Sequence, residues 1–163
     1  MITYRPGPEF AFSHPAHFIA LGFGAGLSPF APGTVGTLVA FPIWWLIGPA
    51  YSPPLLFGIL AFLFVVGVWA CGLTGWHLGI ADHGAMCWDE VVAFLLILAV
   101  VPRDWPWQAA AFFLFRAFDV VKPPPIRQLE RRMKGGLGVM LDDLLAAGYT
   151  LLVLALARRL FFP

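Results

Sequence analysis

Five carboxylates interrupt the apolar stretches in the second half of this 163-residue chain. They are Asp89, Glu90, Asp119, Asp142 and Asp143. Ionisable side chains in membrane-type apolar segments are energetically unfavourable, and they are usually functional or paired with a partner of opposite charge. Only Arg116 and Lys122 lie near them in sequence, so five ionised carboxylates would be short of positive charge.

A bound divalent cation would supply the missing charge. Mg²⁺ prefers oxygen ligands and typically combines one or two carboxylates with waters and a substrate phosphate. The alternative is that these acids cap helix N-termini or face lipid head groups at the membrane surface. Because the five acids come from three separate places in the chain, the pattern favours a metal site over caps.

Arg116, Asp119 and Lys122 follow one another at intervals of three residues. If this segment is helical, the three side chains share one helix face. An arginine can bind phosphate oxygens in a bidentate manner while an aspartate holds a metal ion, so this order of charges suits a phosphate and metal site. An intrahelical ladder of ion pairs is the alternative.

A glycine- and proline-rich stretch, Gly22–Thr34, leads directly into an apolar segment. Glycines let backbone N–H groups approach a phosphate, and a helix N-terminus favours an anion. The stretch is neither a P-loop nor a dinucleotide-binding fingerprint, because the spacing and the lysine of those motifs are missing. Phosphate binding and close helix packing by small residues both fit it.

Composition indicates that the elements carrying these residues lie in a membrane. The chain is 60% hydrophobic and 12% charged, whereas soluble domains carry about 25% charged residues. No Asp, Glu, Lys or Arg occurs between Glu9 and Asp82. The net charge is +1 and the basic residues are few, so nothing favours a nucleic-acid partner.

We therefore predict an all-α fold, a polytopic membrane helical bundle forming one domain over residues 1–163. A spanning helix needs about 20 apolar residues, with a range of about 17–25. Five segments are candidates for short transmembrane or membrane-embedded helices: Thr34–Ala50, Leu55–Trp76, Ala85–Val101, Trp105–Val121 and Leu137–Ala157. Prolines separate the first from the second and the third from the fourth, and Pro42 is a possible kink in the first.

The basic residues predict the orientation of this bundle. The longest polar loop, Lys122–Gly136, contains five of them: Lys122, Arg127, Arg131, Arg132 and Lys134. Cytoplasmic loops carry an excess of Lys and Arg, so this loop is expected inside the cell. Five spans threaded from that loop bring all the polar motifs to the cytoplasmic face, while Arg158 and Arg159 fall outside.

Four motifs in order resemble the phosphatidylglycerophosphatase A family. They are GFGAGLSPFAPGTVGTL (Gly22–Leu38), DHGAMCWDEVV (Asp82–Val92), FRAFDVVKPPPIR (Phe115–Arg127) and GGLGVMLDD (Gly135–Asp143). The resemblance extends from His14 to about Gly148. It implies a bacterial inner-membrane phosphatase that depends on Mg²⁺ and converts phosphatidylglycerophosphate to phosphatidylglycerol and inorganic phosphate.

The resemblance also implies roles for individual residues. Mg²⁺ would be held by some of Asp89, Glu90, Asp142 and Asp143. Arg116 and Lys122 would neutralise the substrate phosphate, with the backbone N–H groups of Gly33 and Thr34. Asp119 would be a further ligand or the base that positions water. Apart from the resemblance, adjacent helical residues diverge by about 100°, so we expect one of Asp142 and Asp143 to face the site, and we choose Asp142.

A small cation transporter or channel is the alternative from another functional class, because acids within the membrane also line ion pathways. Against this alternative, the acids cluster at one face of the membrane instead of crossing it. No inverted repeat is visible in the sequence either.

The predicted orientation is tested by cysteine labelling at Gln128, in the basic loop. Since the loop is expected in the cytoplasm, a membrane-impermeant thiol reagent should label Gln128→Cys only after the inner face of the membrane is opened. Labelling in intact spheroplasts would invert the topology and place the polar motifs outside.

Overall fold

The computed structural model describes residues 5–161, apart from the side chains of Glu130 and Arg131, so Arg131 of the basic loop is described by its backbone only. Throughout this part of the chain the regular elements are helical. They are α1 (Pro8–Ser13), α2 (Pro15–Ala20), a 3₁₀ segment (Gly22–Leu27), α3 (Pro32–Ile47), α4 (Pro53–Leu78), α5 (Trp88–Val100), α6 (Trp105–Val121), α7 (Ile126–Arg132) and α8 (Gly136–Phe161).

The five predicted helices are confirmed as α3, α4, α5, α6 and α8, with ends that differ by a few residues. Several helices begin at a proline. Proline is tolerated there because the N–H groups of the first helical turn have no hydrogen-bond partner within the helix. Pro32 begins α3, and Pro53 begins α4. Pro42 lies inside α3 without dividing it into two helices.

Among residues 5–161, two helices are long and apolar enough to cross a membrane. α4 and α8 have 26 residues each, or about 39 Å of helix, against a hydrocarbon core of about 30 Å. Large apolar side chains point outward from α4, including Phe62 at 65% and Trp76 at 76% exposure. A helix with exposed apolar side chains on its outer surface suits lipid as the solvent, so the fold is a membrane helical bundle.

α5 is the central helix of this bundle. It has 13 residues, of which ten are buried, and it packs against α3, α4, α6 and α8. Asp89 and Glu90 occupy its first turn. Burial of this helix therefore carries two carboxylates into the interior of the protein.

Histidines join the N-terminal helices to α4. His17 of α2 and His77 of α4 share a hydrogen bond of 2.7 Å between Nε2 and Nδ1. The backbone N–H of Cys87 also donates to the carbonyl of Ala20, at 2.9 Å. These bonds position the glycine-rich segment that follows α2 beside the start of α5.

Glycine permits the closest approach between α4 and α8. A Cβ atom added at Gly136 would lie 1.9 Å from the carbonyl oxygen of Val68 and 2.6 Å from the backbone nitrogen of Gly72. Both neighbours are backbone atoms, so they cannot move aside as a side chain could. The N-terminus of α8, which leads to Asp142 and Asp143, is thus held directly against α4.

This contact predicts opposite effects for two Gly→Ala substitutions in α8. Gly136→Ala should destabilise the fold by about 1–3 kcal/mol, because the helices must separate to accept the methyl group. Gly148→Ala is the matched control, since nothing lies within 4 Å of its added Cβ, and better helix propensity should leave stability equal or up to about 1 kcal/mol higher. Thermal unfolding in detergent measures both; equal Tm values would contradict the close contact.

Candidate active site

Three carboxylates meet inside the bundle, and we call Asp89, Asp142 and Asp143 the acidic trio. One carboxylate oxygen from each lies within 4.8 Å of the others. Asp89 comes from the first turn of α5, and the double aspartate lies about 9–10 Å along α8 from its start. All three side chains are buried, with residue exposures of 7% or less.

Both members of the double aspartate contribute to the trio. Adjacent helical residues diverge by about 100°, which predicts that only one would face the site. The structure differs, because Asp89 lies where the two diverging carboxylates can both reach it. Asp142 is further held by two hydrogen bonds: Oδ2 accepts from Lys122 Nζ at 2.6 Å, and Oδ1 accepts from the Asp143 backbone N–H at 3.1 Å.

Arg116 forms a second cluster beside the trio, which we call the arginine bridge. Its Nη1 donates to Glu90 Oε1 at 2.8 Å and lies 2.7 Å from Asp119 Oδ2. Glu90 is thus paired with Arg116, whereas its neighbour Asp89 belongs to the acidic trio. A guanidinium has five N–H donors, and these two ion pairs use Nη1 alone.

Lys122 joins the end of α6 to the trio through Asp142. It is the C-cap of α6 and has left-handed backbone angles, φ 46° and ψ 66°. Such a conformation is unfavourable for a residue other than glycine and is often found where function requires it. Here it ends the helix while the lysine side chain makes its ion pair with Asp142.

Gly33 brings the start of α3 against Glu90. A Cβ atom at Gly33 would lie 2.0 Å from Glu90 Oε1, so a larger residue here would displace the Glu90 carboxylate. Gly33 and Thr34 are in the first turn of α3, where backbone N–H groups lack partners within the helix. The turn predicted to bind phosphate therefore lies next to the arginine bridge.

The donor set of the site fits a hard divalent cation. Three buried carboxylate oxygens have no hydrogen-bond partner among the described residues: Asp89 Oδ1, Glu90 Oε2 and Asp143 Oδ2. Two of these belong to the acidic trio. Buried unsatisfied oxygens are unfavourable unless something binds them, and carboxylate oxygens are the ligands that Mg²⁺ prefers.

A pocket with several charged residues in its wall reaches the trio at Asp142. Its volume is about 260 Å³, and its wall includes Asp82, Lys134 and Gly138. Sequence reasoning did not assign Asp82 and Lys134 to the site, although both lie in segments that it identified. Their position in the wall depends on how the two loops before α5 and α8 meet.

Comparison with known proteins gives consistent results over most of the chain. Residues 18–158 match the family described as phosphatidylglycerophosphatase A. A protein of that name from Escherichia coli (strain K12) is 43% identical over 136 residues, which cover 82% of this chain and 78% of the relative. One from Haemophilus influenzae is 37% identical over 154 residues, with 94% of each chain covered. No solved structure matches the chain.

A third relative, from Bacteroides thetaiotaomicron, carries a different provisional name, phosphatidylinositol-3-phosphatase. It is 42% identical over 147 residues and covers 86% of this chain and 91% of its own length. The protein is thus a membrane-associated hydrolase of phosphoric monoesters. Specifically, the chain belongs to the phosphatidylglycerophosphatase A family.

The arginine bridge predicts a large functional loss for Arg116→Gln. Removing a partly buried cation that can bind phosphate oxygens should lower kcat/KM by about 100-fold or more. Arg103→Gln is the matched control: Arg103 bonds the Gly48 carbonyl and stacks over Trp44, so its loss should reduce Tm but change kcat/KM less than about threefold. Phosphate-release kinetics with purified, folded protein measure both, and equal effects would contradict the assignment of Arg116.

Proposed function

We propose that this protein hydrolyses the terminal phosphomonoester of phosphatidylglycerophosphate to phosphatidylglycerol and inorganic phosphate. One observation carries the proposal: an acidic trio with unpaired buried oxygens lies beside two cations in a chain of this family. Carboxylates, a metal and flanking cations are the parts that phosphoryl transfer needs, because the chemistry depends mainly on alignment and charge neutralisation.

The acidic trio is the proposed ligand set for Mg²⁺. When bound there, the ion would polarise the phosphoryl oxygens and offset their negative charge. Asp142 would keep its ion pair with Lys122 through one oxygen, as the structure has it. Glu90 would act next to the ligand set, by holding Arg116 in place.

The protein side chains would then position the reacting groups. Arg116 and Lys122 bind the non-bridging oxygens of the phosphomonoester, together with the N–H groups at the start of α3. Asp119, fixed by Arg116 at 2.7 Å, accepts a hydrogen bond from the attacking water. The water oxygen bonds to phosphorus, the bond from phosphorus to the glycerol oxygen breaks, and a proton from the water passes to that glycerol oxygen.

The bundle is proposed to sit in the bacterial inner membrane with this site at the cytoplasmic face. The basic loop supports that orientation, since the site is formed where α5 and α8 begin and α6 ends. A lipid head group at the inner surface could then reach the pocket beside Asp142 without crossing the bilayer.

The proposal predicts Mg²⁺-dependent phosphate release from phosphatidylglycerophosphate. EDTA should abolish release and added Mg²⁺ should restore it. Phosphatidylinositol 3-phosphate is the informative second substrate, given the provisional name of one relative. Faster release from that lipid than from phosphatidylglycerophosphate would overturn the proposed substrate, and full activity after rigorous chelation would overturn the metal.

Single Asp→Asn variants of the acidic trio test Mg²⁺ binding through the thermal stability of the protein as well as through its activity. Mg²⁺ that binds the folded protein should raise its Tm, because a ligand present at 100 times its Kd adds about 2.7 kcal/mol to the free energy of unfolding. Asp89→Asn, Asp142→Asn or Asp143→Asn should remove this shift and most of the turnover, whereas Asp104→Asn at the N-cap of α6 should retain both. A normal Mg²⁺ response in all three trio variants would exclude the trio as the ligand set.

A further inference from the structure

An apolar groove lies at the junction of α4, α5 and α8, and its upper end is beside the acidic trio. Its volume is about 380 Å³, and all eight residues of its wall are apolar. This volume lies within the range of about 300–1,000 Å³ that is usual for ligand pockets. Phe57 and Val65 of its wall are also exposed on the outer surface of α4, so the groove opens laterally towards the lipid.

The upper end of the groove is adjacent to the trio. Val92 and Leu96 line it from α5, about 4.5 Å and 10 Å along the helix from Asp89. Leu96 projects within about 20° of the direction of Asp89, since seven residues make almost two full turns. On α8 the wall residue is Leu144, which directly follows Asp143.

The depth of the groove matches one leaflet of a bilayer. Trp88, which precedes Asp89, donates its indole N–H to the Leu63 carbonyl at 3.2 Å. The trio is therefore level with the upper part of the groove. From Val65 to Phe57 the wall of α4 extends about 12 Å, and half of the hydrocarbon core is about 15 Å.

We propose that this groove binds one acyl chain of the phospholipid substrate. The inference rests on the proposed function, because it requires that the phosphomonoester bound at the trio belongs to a lipid. A wall without polar side chains is poorly suited to recognise a head group, but it can bury an acyl chain. Because the groove lies beside the trio, one lipid molecule can bind with its head group at the trio and its acyl chain in the groove.

The proposal predicts that a bulky side chain in the groove weakens the binding of long-chain substrates but not of short-chain ones. Ala61 lines the groove and is exposed to lipid, so Ala61→Trp adds bulk without disturbing the buried core. The variant should raise KM for dioleoyl phosphatidylglycerophosphate about tenfold, which is about 1.4 kcal/mol. Its kcat, and its kcat/KM for the dihexanoyl analogue, should stay within about twofold of wild type.

Ala110→Trp is the matched control, because Ala110 is an exposed alanine of α6 outside the groove. It should leave KM for both lipids unchanged. Equal KM changes for dihexanoyl and dioleoyl substrates in Ala61→Trp would overturn the groove proposal. Wild-type protein that releases phosphate from neither lipid would instead overturn the proposed function itself.

Photo-crosslinking of the wild-type protein gives a test that does not depend on a variant. A phosphatidylglycerophosphate analogue with a diazirine on one acyl chain should label residues 57–65 of α4, and excess dioleoyl phosphatidylglycerophosphate should compete for that labelling. Labelling spread equally over α6 and insensitive to competition would show only the surrounding bilayer lipid and would contradict a specific groove.

Discussion

The repulsion among three buried carboxylates is the constraint on which this structure depends. At 4.8 Å and an effective dielectric constant of about 20, two like charges repel by about 3–4 kcal/mol. Three such pairs amount to about 10 kcal/mol, which is comparable to the total stability of an ordinary domain. The ionised trio is therefore compatible with the fold only where positive charge compensates it. Lys122 supplies one charge directly to Asp142, and a divalent cation is the proposed source of the rest.

The arrangement of helix ends follows from this constraint. Asp89 and Glu90 lie in the first turn of α5, where the partial positive charge of a helix N-terminus favours an anion. Arg116 pairs with Glu90 and Asp119, so the second cluster carries its own compensation. Glycine at position 33 lets α3 approach Glu90 closely. Each of these contacts brings one more helix end to the same end of the bundle, and the carboxylates are thereby enclosed.

The bundle separates polar and apolar functions in a way that suits an amphiphilic substrate. The charged site lies where α5 and α8 begin, and the apolar groove lies beside it, lined by α4, α5 and α8. α5 connects the two, because it carries Asp89 in its first turn and Val92 and Leu96 in the wall of the groove.

The sequence by itself determined the five principal helices and the acids that would come together. Long apolar runs broken by prolines have few alternatives in a membrane, and charged residues inside such runs must be compensated. The tertiary structure alone decided how the acids divide: Asp89 joins Asp142 and Asp143, whereas its neighbour Glu90 pairs with Arg116. Neighbouring side chains in a helix point about 100° apart. Helix packing decides which of the two side chains faces α8 and which faces α3 and α6. The groove could not be predicted from the sequence, because its wall consists of ordinary apolar side chains. These residues form a groove only through the way in which α4, α5 and α8 pack together.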